Sequence, residues 1–476
     1  MKKKMAILLA FMMAAASVLV PVTVSAANED VPTIIWWNVG DPPTGGEETL
    51  ERWHNAVNAY LEASIGVRVD YRNIPWGDWP QRQNTIINSG EYYDILFTDL
   101  SIYNNYVSMG AFADLTDLLN ETPGLKYYIP DNIWKGVTNK DGIFAVPTVK
   151  DTARADYFVL DAKYTDKYGY DPADLTSLAS LDPYFRAVKE GEGADFYPYQ
   201  MTQATVFGAA FVNYDGLGAS LPPIGVSMND DSKKVVTALE QPDVMETLRQ
   251  LHTWYKDGII NPDANVATEQ NLQRPFFVGI GWPGAVSIWQ ASEGVEKYTA
   301  TLAYGPTYTT DSIQGSLNSI SVNSNHKEAA LKLLEFVNLD HKARDMFAYG
   351  VEGEDFEYVE PSVVRALNDT FSNFSLYSQA TFFTMSTREG GQKDQWDEVR
   401  AQNDAATASP LLGFMMDLEP VRNEMTACIA IWERYRRDLL TGAVDPDEVV
   451  PQIIKEMNAV GLEKIIAEAQ SQVDAF

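Results

Sequence analysis

The sequence predicts an α/β fold with a helical C-terminal extension. Three runs rich in β-branched and aromatic residues predict strands at 33–37, 67–71 and 93–97. Apolar residues at helical spacing predict helices between them, over 47–63 and about 78–88. This β-α-β-α-β order indicates a mainly parallel sheet with helices on both faces. The 476 residues are also enough for two domains of ~100–200 residues each.

Later segments continue the alternation. We predict that the chain crosses into a second lobe at 142–148, enters a strand at 155–160 and crosses back near 302–306. After the return, a strand is expected at 319–322 and an amphipathic helix at 326–336. The C-terminal part is strongly helical, and we expect one helix over 421–440 and another over 449–471.

The N-terminus has the pattern of a secretory signal peptide. Lys2, Lys3 and Lys4 precede an apolar run from 5 to 20, and Ala26 ends the small-residue tripeptide Val-Ser-Ala. The run is shorter than the ~20 residues that span a bilayer core. We therefore expect cleavage after Ala26 and export, with residues 1–26 as the signal peptide.

Charge and composition narrow the set of ligands. The formal net charge of −30 argues against nucleic acid and anionic membrane surfaces as partners. The chain contains 11 Trp, 24 Tyr and 20 Phe. Many of these rings must pack in the core, but aromatic faces flanked by carboxylates and amides also suit the C–H face and hydroxyl rim of a sugar.

Candidate binding residues follow from the predicted sheet. Ligands of open α/β sheets sit beyond the carboxyl ends of the strands, which points to 38–44 and 98–106. Asp41, Asp99 and Tyr103 lie there, although an Asp before Pro also suits a turn. In the next loop either Trp76 or Trp79 could be an anchor or a core residue, and Trp79 is favoured.

The order of several segments resembles a known family. After the predicted strand at 94–97 comes MGAFADLTDLL (109–119), and GIINPDA (258–264) follows later. These segments resemble bacterial extracellular solute-binding proteins of the carbohydrate, maltose-binding-like type. The C-terminal part resembles the LplA-like lipoprotein subgroup through YGVEG (349–353), SPLLGF (409–414), EPV (419–421) and TGAVDP (441–446).

The resemblance implies a periplasmic-binding-protein-like fold, with two α/β lobes joined by hinge strands and a ligand cleft between them. We expect residues 27–148 and 305–345 in the N-terminal lobe, and 149–304 and 346–476 in the C-terminal lobe. A membrane permease with its ATPase is the expected partner, and the protein is expected to be a monomer. That subgroup is typically lipidated, whereas the single cysteine here is Cys428. A soluble periplasmic or extracellular form is therefore expected.

Further site residues are expected around the two crossings and on the C-terminal lobe. The resemblance implies that Trp282 stacks on a sugar ring, although a core or loop role is the alternative. Cationic side chains flanking the first crossing could bind a hydroxyl or a uronate, or form salt bridges in an acidic protein. Tyr304 and Asn318, near the second crossing, are expected to close on the ligand from the other side of the cleft. The remaining candidates are Lys150, Arg154, Tyr304, Asn318, Glu352 and Arg388.

Binding, rather than catalysis, is the predicted activity, with a sugar or oligosaccharide as ligand. The four histidines stand apart, and no His-Glu-x-x-His, Gly-x-Ser-x-Gly or phosphate-binding Gly-rich motif is present in the sequence. No metal or cofactor is predicted. Two alternatives remain open: a peptide-binding clamp of an importer, and a secreted glycoside hydrolase, which needs only two carboxylates in an aromatic cleft.

Overall fold

The computed structural model describes residues 31–139, 142–219, 221–269, 273–371 and 375–476, so the predicted signal peptide lies outside the described residues. The first part of the chain alternates strands and helices as expected. Its elements are β1 (Thr33–Val39), α1 (Gly46–Ile65), β2 (Arg68–Ile74), α2 (Trp79–Ser89), β3 (Ile95–Thr98), α3 (Tyr103–Ser108), α4 (Pro123–Tyr128), α5 (Asp131–Val137), β4 (Thr138–Asn139), β5 (Gly142–Ile143) and β6 (Val146–Pro147).

The chain then builds a second α/β unit before it returns. These elements are β7 (Arg154–Asp161), α6 (Ala162–Tyr168), α7 (Leu178–Glu192), β8 (Tyr214–Asp215), β9 (Ile224–Ser227), β10 (Val235–Thr237), α8 (Pro242–Lys256), β11 (Phe276–Ile280), α9 (Val286–Glu293) and β12 (Tyr298–Tyr308).

After the return the elements are α10 (Thr310–Ile313), β13 (Leu317–Ile320), α11 (Lys327–Leu339), α12 (His341–Tyr349), β14 (Phe356–Glu360), β15 (Val363–Ala366), α13 (Leu376–Gln379), β16 (Thr387–Arg388), α14 (Gln395–Asp404), β17 (Thr407–Ala408), α15 (Arg422–Leu440), α16 (Pro446–Val460) and α17 (Leu462–Ala475).

The first lobe is organised by a sheet of order β2-β1-β3-β13-β6. β1 runs parallel to β2 and β3, as the sequence predicts, whereas β13 is antiparallel to β3 and β6. Large rings fill the space between this sheet and its helices, and Trp36, Trp53 and Tyr71 are fully buried. The Trp53 indole N–H donates to the Met346 carbonyl oxygen over 2.7 Å, so burial leaves this polar group paired.

The second lobe has its own core, built on the sheet β11-β7-β12-β17. β7 is antiparallel to both β11 and β12, whereas β12 runs parallel to β17, so this sheet is mixed, as that of the first lobe is. Phe158, Phe185, Trp254 and Phe276 form a continuous aromatic cluster on one face of it. Two separate apolar cores confirm the predicted α/β architecture of two lobes.

Several side chains within 346–371 and 375–388, which the predicted division assigns to the C-terminal lobe, contact the first lobe. Arg52 on α1 forms an ion pair of 2.6 Å with Asp355, which is almost fully buried. Phe371 and Ala380 belong to the first-lobe core. Arg344 on α12 is fully buried and donates to the Leu376 and Thr381 carbonyl oxygens, which fastens this segment in place.

The C-terminal helices complete the second-lobe core. Trp432 on α15, Met457 on α16 and Ile465 on α17 are buried in it. The helix expected over 449–471 is two helices, because Gly461 adopts φ = +112° and ends α16. Among the helices of the described residues, none is long and apolar enough to cross a bilayer.

Candidate functional site

The carboxyl ends of the three parallel strands bring predicted site residues to one edge of the first lobe. Asp41 is exposed in the loop after β1. Asp99 follows β3 and is half-buried, with its Oδ1 accepting from the Ser101 backbone N–H over 2.9 Å. Trp76 follows β2, which neighbours β1 in the sheet. This edge therefore carries two carboxylates and one large ring.

Trp76 is held in a fixed orientation although 46% of its surface is exposed. Its indole ring packs edge-on against Phe97, with centroids 5.9 Å apart and planes at 88°. Its N–H donates to the Tyr377 hydroxyl over 2.6 Å. Because the N–H is already used, Trp76 offers a ligand its ring face rather than a hydrogen bond.

Tyr377 joins Trp76 and Asp99 at this edge. Burial raises the pKa of Tyr377, and the nearby Asp99 carboxylate raises it further, against hydrogen bonds from Trp76 and Ser375 that lower it. The phenol therefore stays protonated at neutral pH, accepts from Trp76 and can donate onward. We call Trp76, Asp99 and Tyr377 the aromatic platform.

Sequence reasoning predicts only Asp99 of these three residues. Trp76 was considered, but Trp79 was favoured over it. The Pro75-Trp76-Gly77 context was the available signal, because flanking Pro and Gly place a ring in a loop just after the strand. Tyr377 had no sequence signal, since it lies 301 residues from its partner Trp76.

Three predicted site residues lie in the first-lobe core instead. Trp79 is 1% exposed because it begins α2 on the face that also buries Gln83 and Ile86. Tyr103 is fully buried on α3, and its hydroxyl donates to the Val137 carbonyl oxygen over 2.7 Å. Each is placed as a packing residue.

Asn318 is the third of these residues, and it sits in the middle of the first-lobe sheet. It is 1% exposed on β13 between β3 and β6. Its Oδ1 accepts from the Trp36 indole N–H over 3.0 Å, and its Nδ2 donates to the Ser378 carbonyl oxygen over 3.1 Å. The amide satisfies buried polar groups inside the lobe and is not open to a ligand in this conformation.

The second lobe places two predicted residues side by side. Arg154 at the start of β7 forms a two-pronged ion pair with Asp156, at 2.8 and 2.9 Å. Tyr304 on β12 and Ile280 on β11 are both in register with Asp156. Burial, and then the Asp156 charge, raise the pKa of Tyr304 to about 12. This corner combines a guanidinium, a neutral phenol and an exposed aliphatic side chain, Ile280, which is 58% exposed.

Trp282 lies just beyond β11 and is only 7% exposed. Its ring is tilted against Trp396 on α14, with centroids 6.1 Å apart. Its indole N–H is buried without a hydrogen-bond partner. In this conformation Trp396 covers the ring, so its face is not displayed as that of Trp76 is.

Three further predicted residues lie elsewhere. Lys150, on the first crossing, pairs with Asp151 at 3.2 Å. Glu352 is exposed and pairs with Lys342 at 3.3 Å, on the segment that packs against the first lobe. Arg388 on β16 is exposed and lies over the Tyr349 ring, 5.4 Å from its centroid. The structure does not gather Glu352 and Arg388 with the aromatic platform.

Two acidic side chains that sequence reasoning missed meet where the chain returns to the first lobe. Asp311 on α10 lies beside the turn after Asp215. Its Oδ1 atom would be 3.7 Å from a Cβ atom placed at Gly218 in that turn. Burial, and then the charge of Asp215, raise the pKa of Asp311 to about 7. Asp215 itself accepts from the Ser409 hydroxyl, and burial raises its pKa.

Acidic residues are plentiful, yet the described part of the chain contains no group of three His, Cys, Asp or Glu side chains that could hold a metal ion. Cys428 is buried in the second lobe. The arrangement offers ring faces, carboxylates, a guanidinium and phenols, which are groups that recognise polar molecules by stacking and hydrogen bonding.

Comparison with known proteins gives a consistent result. Residues 46–340 match the model of the bacterial extracellular solute-binding protein family, and residues 410–476 match a domain of unknown function, DUF3502. A carbohydrate ABC transporter substrate-binding protein of Streptococcus pneumoniae serotype 4 (strain ATCC BAA-334 / TIGR4) is 28% identical over 469 residues. The alignment covers 95% of this chain and 92% of that protein.

Solved structures agree with the sequence matches. The N-glycan transport solute-binding protein NgtS of Streptococcus pneumoniae is 26% identical with a TM-score of 0.84, over 93% of this chain and 98% of that one. NgtS in complex with Man5GlcNAc gives a TM-score of 0.71 at the same identity, over 94% and 98% of the two chains. The matched family model spans more than half of the sequence, and the fold agrees with that of NgtS over 93% of this chain. This chain belongs to the bacterial extracellular solute-binding protein family.

Proposed function

We propose that this protein is the solute-binding component of an ABC importer that reversibly binds a sugar or oligosaccharide between its two lobes. The observation that carries the proposal is the aromatic platform. An exposed indole, fixed by a ring contact and a hydrogen bond, presents its face beside a carboxylate at the carboxyl edge of a parallel sheet. The similarity to NgtS, whose complex contains Man5GlcNAc, supports a glycan as the ligand.

Each lobe would supply a different part of the recognition. On the first lobe, the Trp76 face would stack on a sugar ring, while Asp41 and Asp99 accept hydrogen bonds from its hydroxyls. On the second lobe, Arg154 and Tyr304 would donate to hydroxyl oxygens. Lys150 on the first crossing, together with Trp282, Glu352 and Arg388, would complete the contacts with a longer ligand.

We propose that the lobes close around the ligand by a hinge motion and that the permease recognises the closed conformation. Contacts from both lobes exist together only when the lobes approach, so a ligand shifts the population toward that state. The TM-score is higher with NgtS described without a glycan, 0.84, than with its Man5GlcNAc complex, 0.71. This difference supports assigning the present conformation to the ligand-free state.

We further propose that the protein belongs to the LplA-like subgroup and acts outside the cell membrane after signal-peptide cleavage. Segments 409–414 and 441–446 carry the resemblance to the subgroup. Leu411 and Phe414 of the first segment are buried in the second-lobe core, whereas Leu412 belongs to the first-lobe core. With Cys428 buried in the second-lobe core, attachment through a lipid on that cysteine is not proposed. A membrane permease would take up the released ligand from a monomeric binding protein.

Isothermal titration calorimetry against glycans tests the function. We expect saturable one-site binding to Man5GlcNAc or to another mannosyl, fructosyl or glucosyl oligosaccharide, with the glycan recovered intact. Mass analysis of the glycan after a long incubation is the companion measurement. Shortened products would support a glycoside hydrolase instead, and binding of peptides without a response to any glycan would support a peptide clamp.

A further inference from the structure

Three side chains on α14 and on the loop after β11 leave buried polar atoms unpaired. The indole N–H groups of Trp282 and Trp396 and the Glu398 Oε2 atom are all buried without a hydrogen-bond partner. Buried polar groups in folded proteins are nearly always paired, so three orphans in one region require an explanation. We call this group, with Gln392, the Gly284 notch.

The position of Gly284 shows how closely two of these orphan atoms gather, with the Trp396 ring centroid 6.1 Å from that of Trp282. A methyl group at Gly284 would lie 3.1 Å from Trp282 Nε1, 3.1 Å from Glu398 Oε2 and 2.8 Å from Gln392 Oε1. Glycine therefore leaves the space that the polar atoms surround. Gln392 also donates to the other Glu398 oxygen, Oε1, over 2.5 Å, which fixes the carboxylate and leaves Oε2 free.

The chemistry of the notch selects one kind of occupant. The indole N–H groups need an acceptor, whereas Glu398 Oε2 needs a donor. An anion would be repelled by the carboxylate, and a cation would not pair with the indoles. A hydroxyl group has both lone pairs and a hydrogen, so it can satisfy both kinds of partner at once.

The surroundings connect the notch to the first crossing between the lobes. Asn403, on the same helix as Glu398, donates to the Lys150 carbonyl oxygen over 2.6 Å. Gln402, also on α14, donates to the Gly281 carbonyl oxygen over 2.9 Å, next to Trp282. Phe382 packs on the Trp396 ring with centroids 4.9 Å apart. Aromatic walls therefore enclose the polar atoms beside the hinge.

We propose that the Gly284 notch binds a hydroxyl group of the ligand and that Glu398 and Trp396 determine which hydroxyl pattern the protein accepts. This inference rests on the proposed function, because it assigns a second-lobe contact to the same ligand. Gln392 and Trp396 are half-buried and form the outer side of the notch, so the ligand enters from that side. Trp282 then contributes its N–H edge, in addition to any stacking.

The test measures glycan binding and stability on matched variants. Glu398→Gln replaces the charged carboxylate with a neutral amide of equal size, and Trp396→Phe removes an indole N–H but keeps a ring. Asp397→Asn changes an exposed carboxyl on the same helix as a control. The probe is Man5GlcNAc, or the glycan of the calorimetric panel to which the wild-type chain binds most tightly.

We expect E398Q to weaken binding about 10- to 100-fold, the range for hydrogen bonds that involve a charged group. W396F removes a neutral hydrogen bond and should weaken binding about 2- to 10-fold, with D397N unchanged. The ligand-free melting temperature of E398Q should stay near that of the wild type. Unchanged glycan affinity in E398Q would contradict the notch proposal but not the proposed function. A large drop in the ligand-free melting temperature of E398Q would also contradict the notch proposal, because it would indicate that an internal water, rather than the ligand, occupies the notch. Absence of any glycan binding by the wild type would overturn both proposals.

Discussion

Trp76 and Trp79 are three residues apart in the sequence and have opposite environments. Trp76 is 46% exposed and Trp79 is 1% exposed. Composition could not separate them, because both lie in one loop-to-helix segment rich in aromatic rings. The distinction depends on where α2 begins, since Trp79 is its first residue and faces inward. Helix boundaries are the least certain part of a sequence-based prediction.

This pair gives a matched test of the platform. We expect Trp76→Ala to weaken glycan binding by about 10-fold or more, because an anchoring ring is lost, with little change in stability. Trp79→Ala should instead lower the free energy of unfolding by about 3–5 kcal/mol through the cavity it leaves. Calorimetry and urea denaturation of both variants measure the two effects. Equal losses of stability would contradict the assignment of Trp76 to the ligand.

Asp311 predicts a pH dependence of stability. Its pKa is about 7 in the folded chain, above the ordinary value of about 3.9. The folded state thus holds this proton more tightly than the unfolded chain does, and stability is lost as pH rises from about 4 to 7. In the Asp311→Asn variant this pH-dependent loss in the free energy of unfolding, on the order of 2–4 kcal/mol, should be absent.

Denaturation midpoints at pH 4.5 and 7.5 measure the Asp311 effect. The wild-type chain should lose more stability over this interval than Asp311→Asn, with Asp397→Asn as the exposed control. Other carboxyl groups titrate in all three proteins, so only the difference between variants is diagnostic. An identical decline in the wild type and Asp311→Asn would show that Asp311 titrates normally.

Among the elements, the C-terminal helices are fastened by a close backbone contact. Gly442, between α15 and α16, adopts φ = +78°, and a side chain there would lie 2.3 Å from the Leu251 carbonyl oxygen on α8. The His252 ring also contacts the Gly442 carbonyl oxygen at 2.8 Å. Only glycine allows the helices to approach this closely.

A comparison of Gly442→Ala with Gly353→Ala separates the effect of steric crowding on stability from that of backbone strain. Gly353 also has a positive φ, +81°, but a side chain there would meet nothing within 4 Å. We expect Gly442→Ala to reduce the free energy of unfolding by about 1–3 kcal/mol more than Gly353→Ala, because only the former overpacks. Chemical denaturation of both proteins measures this difference, and equal values would contradict the packing of α15 and α16 on α8.

Element types were easier to predict than element partners. Periodicity located β1, α1, β2, α2 and β3 within a few residues, because each has a strong local pattern. It could not indicate that β13 is antiparallel to β3 or that α16 and α17 are separate helices. Those features depend on long-range pairing and on the backbone conformation of Gly461, which a sequence pattern does not encode.

At the scale of the whole molecule, the order of segments in the sequence indicates the family without any knowledge of tertiary contacts. The family match over residues 46–340 agrees with that prediction. The division into lobes is harder to predict, because Arg52, Arg344 and Phe371 connect parts of 346–371 and 375–388 with the first lobe.

Closure around a glycan is the central claim, and small-angle X-ray scattering measures it directly. The radius of gyration should fall when the wild-type chain is saturated with a glycan that it binds in calorimetry, because ligand contacts from both lobes draw them together. Trp76→Ala should need a higher glycan concentration to reach the same value. An unchanged radius of gyration at saturation would contradict binding between the lobes.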